Sequence, residues 1–82
     1  GQPVWSPDSK ELLFVRAAEG RPQLFLLSME GGEPIQLTKF RYGVANPKWS
    51  PDGKKILFSA NIRLEQLVND EELNPGKKPP VW

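Results

Sequence analysis

An all-β fold of antiparallel strands is predicted by three features of this sequence. A twelve-residue segment recurs, without a gap, 44 residues further along the chain. Nine prolines and seven glycines divide the 82 residues into short runs. Those runs are β-rich and bounded by turn residues, the pattern of strands rather than of long helices.

The recurrence sets the frame. Pro3-Val4-Trp5-Ser6-Pro7-Asp8-Ser9-Lys10-Glu11-Leu12-Leu13-Phe14 aligns with Pro47-Lys48-Trp49-Ser50-Pro51-Asp52-Gly53-Lys54-Lys55-Ile56-Leu57-Phe58, with eight of the twelve pairs identical. Chance is a poor explanation, because the scarce residues Trp and Pro match in register. Internal repeats of about 40–50 residues are the mark of four-stranded β-propeller blades. The chain is therefore expected to hold one antiparallel four-stranded blade plus the first hairpin of the next. Its tail is expected to be helical or disordered.

The elements follow in order. Val4–Ser6 reads as a short strand. Pro7-Asp8-Ser9 is a tight turn, in which Pro presets φ and Asp bonds its own backbone. The second copy has Gly53 at the last of these positions, where positive φ carries no steric cost. Glu11–Ala17 is the second strand, and Glu19-Gly20-Arg21-Pro22 turns the chain. Gln23–Met29 is the third strand. Its Leu24-Phe25-Leu26-Leu27 run lacks alternation, which predicts burial on both faces. After the turn Glu30-Gly31-Gly32-Glu33-Pro34, residues 35–39 form the fourth strand, with Ile35 and Leu37 on one face and Gln36 and Thr38 on the other. Phe40–Asn46 connects to Pro47–Ser50 and Lys54–Ala60, the second hairpin.

Beyond Ala60 the period changes. Ile62, Leu64, Leu67, Val68 and Leu73 fit one face of a helix over 62–73, with Asn61 as its cap and Asn74-Pro75-Gly76 as its stop. Asp70-Glu71-Glu72 sits late in that helix, where the dipole disfavours acids. Lys77-Lys78-Pro79-Pro80 reads as an extended linker, and Pro80-Val81-Trp82 echoes Pro3-Val4-Trp5. Residues 1–60 are thus expected to be a partial propeller and 61–82 a polar insertion or tail.

Composition limits the chemistry. The chain has no cysteine and no histidine, so the usual zinc sites, Ser-His-Asp triads and Cys-His dyads are excluded within it. Eleven basic residues against ten acidic ones, a formal charge of +1, give no electrostatic case for nucleic acid or an anionic membrane. No apolar run is long enough to span a bilayer. No cofactor, catalytic or metal-ligating residue is assigned. Asp8 and Asp52 read as turn caps, with metal ligation the weaker alternative because no carboxylate cluster surrounds either. Asp70-Glu71-Glu72 reads as a solvated face or a disordered loop rather than a site for a cation or a basic partner. Lys77-Lys78 is too short for a nucleic-acid patch. Arg41-Tyr42-Gly43, in the connection between the two units, is a candidate contact site, set against an ordinary loop. Trp5 and Trp49, the tryptophans of the repeat, read as architecture: such rings pack between neighbouring sheets, and area burial at roughly 25 cal/mol per Å² makes each worth a few kcal/mol.

Trp49-Ser50-Pro51-Asp52-Gly53-Lys54, continuing to Ile56-Leu57-Phe58, follows Gly31-Gly32-Glu33-Pro34-Ile35-Gln36-Leu37-Thr38 in the chain. This combination resembles the blade repeat shared by TolB-type propellers and the propellers of the prolyl oligopeptidase family. The resemblance covers residues 2–60 and is specific for the blade, not for the protein that carries it. The polar, acidic stretch 69–80 resembles an insertion found in acylaminoacyl-peptidase-like members. That resemblance implies a non-catalytic propeller segment of a serine peptidase, gating or scaffolding access for short peptides. Its partners would be the rest of the propeller and a hydrolase domain. The sequence departs from the family in lacking that domain's Gly-x-Ser-x-Gly elbow. None of Ser6, Ser9, Ser28, Ser50 or Ser59 sits in one, so no catalytic residue is carried over. The alternative is a TolB-type interaction propeller of the cell envelope. A third reading is a repeat that assembles with copies of itself. Two partial blades cannot close a ring of about four to eight, and repeat units need neighbours to cover their faces, so the isolated chain is expected to self-associate or to fold poorly.

Overall fold

The two copies of the repeat fold into hairpins of the same construction. The structure, a computed structural model, describes residues 2–73, 75 and 76. Strands β1 (Val4–Trp5), β2 (Glu11–Ala18), β3 (Arg21–Ser28) and β4 (Ile35–Gln36) form one antiparallel sheet in the order β1-β2-β3-β4. Strands β5 (Ala45–Trp49) and β6 (Ile56–Ser59) form a second, two-stranded sheet, and a short helix α1 (Leu64–Asn69) follows. The all-β expectation holds, as one four-stranded antiparallel sheet and one further hairpin.

The Ser-Pro-Asp turns show why the motif recurs. In the first copy the Ser6 hydroxyl donates to Asp8 Oδ1 at 2.7 Å, the same oxygen accepts the Lys10 amide at 3.0 Å, and Ser6 Oγ accepts the Glu11 amide at 3.0 Å. The second copy repeats this with Ser50 to Asp52 at 2.6 Å, Lys54 to Asp52 at 3.0 Å and Lys55 to Ser50 at 3.0 Å. Each serine–aspartate pair thus satisfies two amides that the bend removes from the ladder. The residue after Asp lies at positive φ in both, 60° at Ser9 and 72° at Gly53. Asp8 and Asp52 act as turn caps.

The β2–β3 turn is tighter than expected. Glu19 (φ 52°) and Gly20 (φ 81°) are both left-handed, the two-residue geometry that suits the strands' twist. Pairing therefore reaches Ala18–Arg21, and Arg21-Pro22 belongs to β3 rather than to the turn. At the other side, β4 stops at Gln36 instead of continuing to Lys39. The Thr38 hydroxyl replaces the ladder there, accepting the Leu24 amide at 3.0 Å and donating to Gln23 Oε1 at 2.6 Å. Strand β5 begins at Ala45, two residues early, and absorbs the difference in a bulge at Asn46 (φ 53°).

Side chains alternate between faces along each strand. Val4, Leu13, Leu26, Val15 and Leu24 share the face turned toward the second sheet. Leu13, Leu24 and Val44 are buried there, with Val4, Val15, Leu26, Phe40, Trp49 and Ile56 packed around them. Trp49 spans the junction, and its Nε1–H donates to the Val4 carbonyl at 3.2 Å. Trp5, its repeat equivalent, is 51% exposed. The β3 expectation of two covered faces is met only in part. Leu24 and Phe25 are buried, but Leu26 and Leu27 are half-buried. Phe25 owes its burial to Phe14, stacked at 5.8 Å, and to the Arg16 guanidinium 4.1 Å above its ring.

The helix is shorter than the periodicity predicts, Leu64–Asn69 instead of 62–73. Arg63, not Asn61, occupies the N-cap, its amide taken by Gln66 Oε1 at 3.0 Å. At the other end Asp70 Oδ1 accepts the Glu72 and Leu73 amides at 2.9 and 3.1 Å. Those amides are then lost to an i→i−4 ladder, so the helix stops before Asn74-Pro75-Gly76 is reached. Asn74, Lys77-Lys78-Pro79-Pro80 and Pro80-Val81-Trp82 lie outside the described residues.

Candidate functional site: a clasp between the sheet connection and the tail

Three segments meet at one end of the sheets. Strand β2 ends at Ala18, β3 begins at Arg21, and β4 runs the same way to Gln36, opposite Phe25. The Val44 amide donates to the Pro22 carbonyl at 2.9 Å, which fixes the start of β5 there, and β6 ends opposite Ala45. The turn at 19–20, the connection 37–44 and the tail after β6 therefore share this end.

The connection is held from beneath by Gln23, 3% exposed at the start of an apolar run. Its Nε2 donates to the Phe40 carbonyl at 2.6 Å, and its Oε1 accepts both the Thr38 hydroxyl at 2.6 Å and the Phe40 amide at 3.0 Å. A buried carboxamide so fully bonded acts as a rigid pin. Phe40 and Tyr42 meet edge to face at 5.5 Å. Gly43 then turns the chain at φ 78° against the Pro22 ring.

Tyr42 and Arg41 project from this support onto the tail. The Tyr42 hydroxyl donates to Asp70 Oδ2 at 2.8 Å. Arg41 Nε lies 3.3 Å from the same oxygen, and its Nη2 lies 3.1 Å from Glu72 Oε2. Asp70 is 3% exposed. The reading of Asp70-Glu71-Glu72 as a solvated face holds for the exposed Glu71 and Glu72 but is corrected for Asp70, which is buried, outside the helix, and paired with two residues of the connection. The candidate contact triplet Arg41-Tyr42-Gly43 and the acidic run are one assembly. Burial pushes the Asp70 carboxyl up, but the Tyr42 hydroxyl, the Leu73 amide, Arg41 and the Glu72 amide together outweigh it and hold the pKa below the usual aspartate value. The Asp70 hydrogen bond, with burial added, raises the Tyr42 phenol above its ordinary value. Asp8 and Asp52 are lowered mainly by their serine partners and by the Lys10 and Lys54 amides.

A carboxyl whose folded pKa is depressed contributes stability that is complete above its unfolded value, ~3.9 for Asp. That contribution is lost as pH falls through the folded value. All three aspartates shift the same way. The chain should therefore hold its melting temperature from neutrality down to about pH 4 and lose it below. Asp70→Asn should melt lower at neutral pH and show a flatter acid limb. Melts followed by circular dichroism across this range check both; an acid limb unchanged in Asp70→Asn would remove Asp70 from the account.

An open cleft of about 430 Å³ lies beside the clasp, lined by Arg21, Gln23, Gln36, Lys39, Phe40 and Arg41 among others. A second, of about 440 Å³, opens between the sheets at Val4, Val15, Pro22, Val44 and Pro47. Among the described residues, no group of three or more acidic side chains is arranged to hold a metal ion. The clasp pairs its charges internally and presents no nucleophile beside a base, so what it can do chemically is fix the tail to the connection.

A comparison with curated proteins bears on what this architecture belongs to. The chain is 44% identical over 71 residues to an uncharacterized peptidase, YuxL, of Bacillus subtilis (strain 168), a match that covers 85% of this chain and 11% of the relative. The chain is related in sequence to part of a peptidase. It spans about a tenth of that relative's length. No protein-family model matches the chain.

Proposed function

We propose that the chain is a non-catalytic segment of the β-propeller of a prolyl oligopeptidase-family serine peptidase, of the acylaminoacyl- or dipeptidyl-peptidase kind. In this reading residues 1–60 are one blade and the first hairpin of the next, and 61–82 are an insertion. The observation behind it is the 44% identity with a protein named a peptidase, over a stretch that includes most of this chain. The repeated hairpin supports it, because both copies spend their Ser and Asp on the turn and Trp49 packs between the two sheets. Acyl transfer to a serine and hydrolysis belong to a separate domain, and the propeller admits short peptides and turns away long ones. The clasp fits that role, since it holds a tail segment over one end of the sheets, where a barrier to bulky substrates would stand.

The test uses the longer protein that contains this sequence. A Gly-x-Ser-x-Gly elbow followed by Asp and His is expected in it, with hydrolysis of short chromogenic peptides. Asp70→Asn should leave that hydrolysis within about twofold and raise cleavage of a peptide of some twenty residues, as loss of a barrier without loss of chemistry requires. A longer protein with no elbow and no activity on short peptides would defeat the proposal.

A further inference from the structure

The two Ser-Pro-Asp turns share one hydrogen-bond network but differ at one residue. Pro7-Asp8-Ser9-Lys10 stands against Pro51-Asp52-Gly53-Lys54. Asp52-Gly53 joins a carboxyl group to a following amide that no Cβ shields, and a five-membered ring closes most readily at such a pair. The Gly53 nitrogen attacks Asp52 Cγ, its proton and the carboxyl hydroxyl leave as water, and a succinimide forms. Water then adds to either carbonyl. Addition at the main-chain carbonyl breaks its bond to the Gly53 nitrogen and leaves isoaspartate, with the backbone running through the side chain and one methylene longer. The water lost in the first step returns in the second, and nothing is oxidised or reduced.

The turn opposes each requirement of that reaction. The attacking nitrogen has its hydrogen engaged, since the Gly53 amide donates to the Ser50 carbonyl at 2.9 Å. Asp52 Oδ1 accepts the Ser50 hydroxyl at 2.6 Å and the Lys54 amide at 3.0 Å, and both bonds resist drawing Cγ toward that nitrogen. Water leaves only from a protonated carboxyl, and Asp52 is held below the usual aspartate value, first by the Ser50 hydroxyl and then by the Lys54 amide. Ser50 Oγ is itself fixed by the Lys55 amide at 3.0 Å. All these contacts lie within residues 50–55, so they do not depend on what packs against either sheet.

We infer that Asp52-Gly53 is an isomerisation-sensitive site and that the Ser50 hydroxyl is the group that keeps it from rearranging. Asp8 is the internal reference. It has the same restraints, Ser6 Oγ to Asp8 at 2.7 Å and the Ser9 amide to the Ser6 carbonyl at 2.9 Å, but a bulkier residue follows it. Isoaspartate at position 52 lengthens the backbone between Ser50 and Lys55, and so unseats the turn that sets Trp49 opposite Ile56. The inference is independent of the peptidase reading.

The test holds the longer protein that contains this sequence at about pH 5, near enough to the carboxyl range for the neutral form to be populated. It is incubated folded and in guanidinium chloride. Trypsin then releases Trp49–Lys54, whose isoaspartate form separates by chromatography at unchanged mass. Isomerisation should be at least about tenfold slower in the folded protein, because it needs a local opening of the turn and a neutral carboxyl. Folded Ser50→Ala should isomerise at least about threefold faster than wild type, the effect of losing one hydrogen bond to a charged group. Asp8, read in the peptide that ends at Lys10, should keep its wild-type rate. Ser50→Thr, which retains the hydroxyl, should stay with wild type. In guanidinium Gly53→Ser should lower the Asp52 rate to that of Asp8. Ser50→Cys, similar in size and a weak donor, replaces Ser50→Ala if the latter fails to fold. Equal rates in the folded and denatured protein, a variant without the hydroxyl that is no faster than wild type, or equal acceleration at Asp8 and Asp52 would overturn the inference.

Discussion

Leu13→Ala is expected to lower the unfolding free energy by about 2–5 kcal/mol, whereas Leu57→Ala should change it by less than about 0.5 kcal/mol. The comparison is strict, because the same substitution falls at equivalent positions of the repeat. Leu13 is fully buried between Leu24, Val44 and the second sheet. Leu57 occupies the same place in its hairpin but, among the described residues, has no sheet over it and is 64% exposed. At a typical ~0.05–0.15 kcal/mol per residue, a chain of this size has only about 4–12 kcal/mol to lose. Leu13→Ala should therefore remove a large share of it and leave a substantial unfolded fraction in water. Urea unfolding at low micromolar concentration, read by tryptophan fluorescence, separates the two; at that dilution association contributes little at Leu57. Equal costs would mean that the outer face of the second sheet is covered after all.

The same pair of leucines shows what is legible in such a sequence. The strands, their order and the turns follow from local chemistry, because Ser-Pro-Asp bends and apolar runs need only near neighbours to act. Which face is covered depends on residues far along the chain. Trp5 and Trp49 look alike in sequence, yet among the described residues only Trp49 has a sheet to lie on, so its donor reaches Val4 while Trp5 stands half exposed.

The clasp was hidden for a similar reason. An acidic run in a polar tail has the composition of a solvated face, and only the approach of Arg41 and Tyr42 across nearly thirty residues makes Asp70 a buried partner. The available signal was complementarity: an Arg-Tyr pair in one connection and an Asp-x-Glu pair in the only polar tail. Gln23 gave a plainer signal, a carboxamide at the head of an apolar strand, which must find partners once buried. The period extends the helix to Leu73, but Asp70, by accepting the Glu72 and Leu73 amides, ends the ladder before Leu73 can join it.

Gly43→Ala is expected to be the most damaging change in the connection, at about 2–4 kcal/mol. Two costs combine. Residue 43 sits at φ 78°, where an L side chain strains the backbone by ~1–2 kcal/mol. A Cβ there would also lie 2.9 Å from both Cδ and Cγ of Pro22. The proline ring cannot swing aside, because Pro22 is part of β3 and its carbonyl accepts the Val44 amide at 2.9 Å. The stabilising effect of a less flexible unfolded chain, about 0.4–1 kcal/mol, is too small to offset this. Relief of the clash must move Val44 out of the core on one side or Tyr42 away from Asp70 on the other. Pro22→Ala separates the two costs. In the Gly43→Ala background it removes the ring carbons and should recover the steric part, while the backbone strain remains. The double variant should therefore be more stable than Gly43→Ala alone and less stable than wild type, with a favourable coupling in the double-mutant cycle. Purely additive costs in urea unfolding would show that the ring is not what Gly43 makes room for.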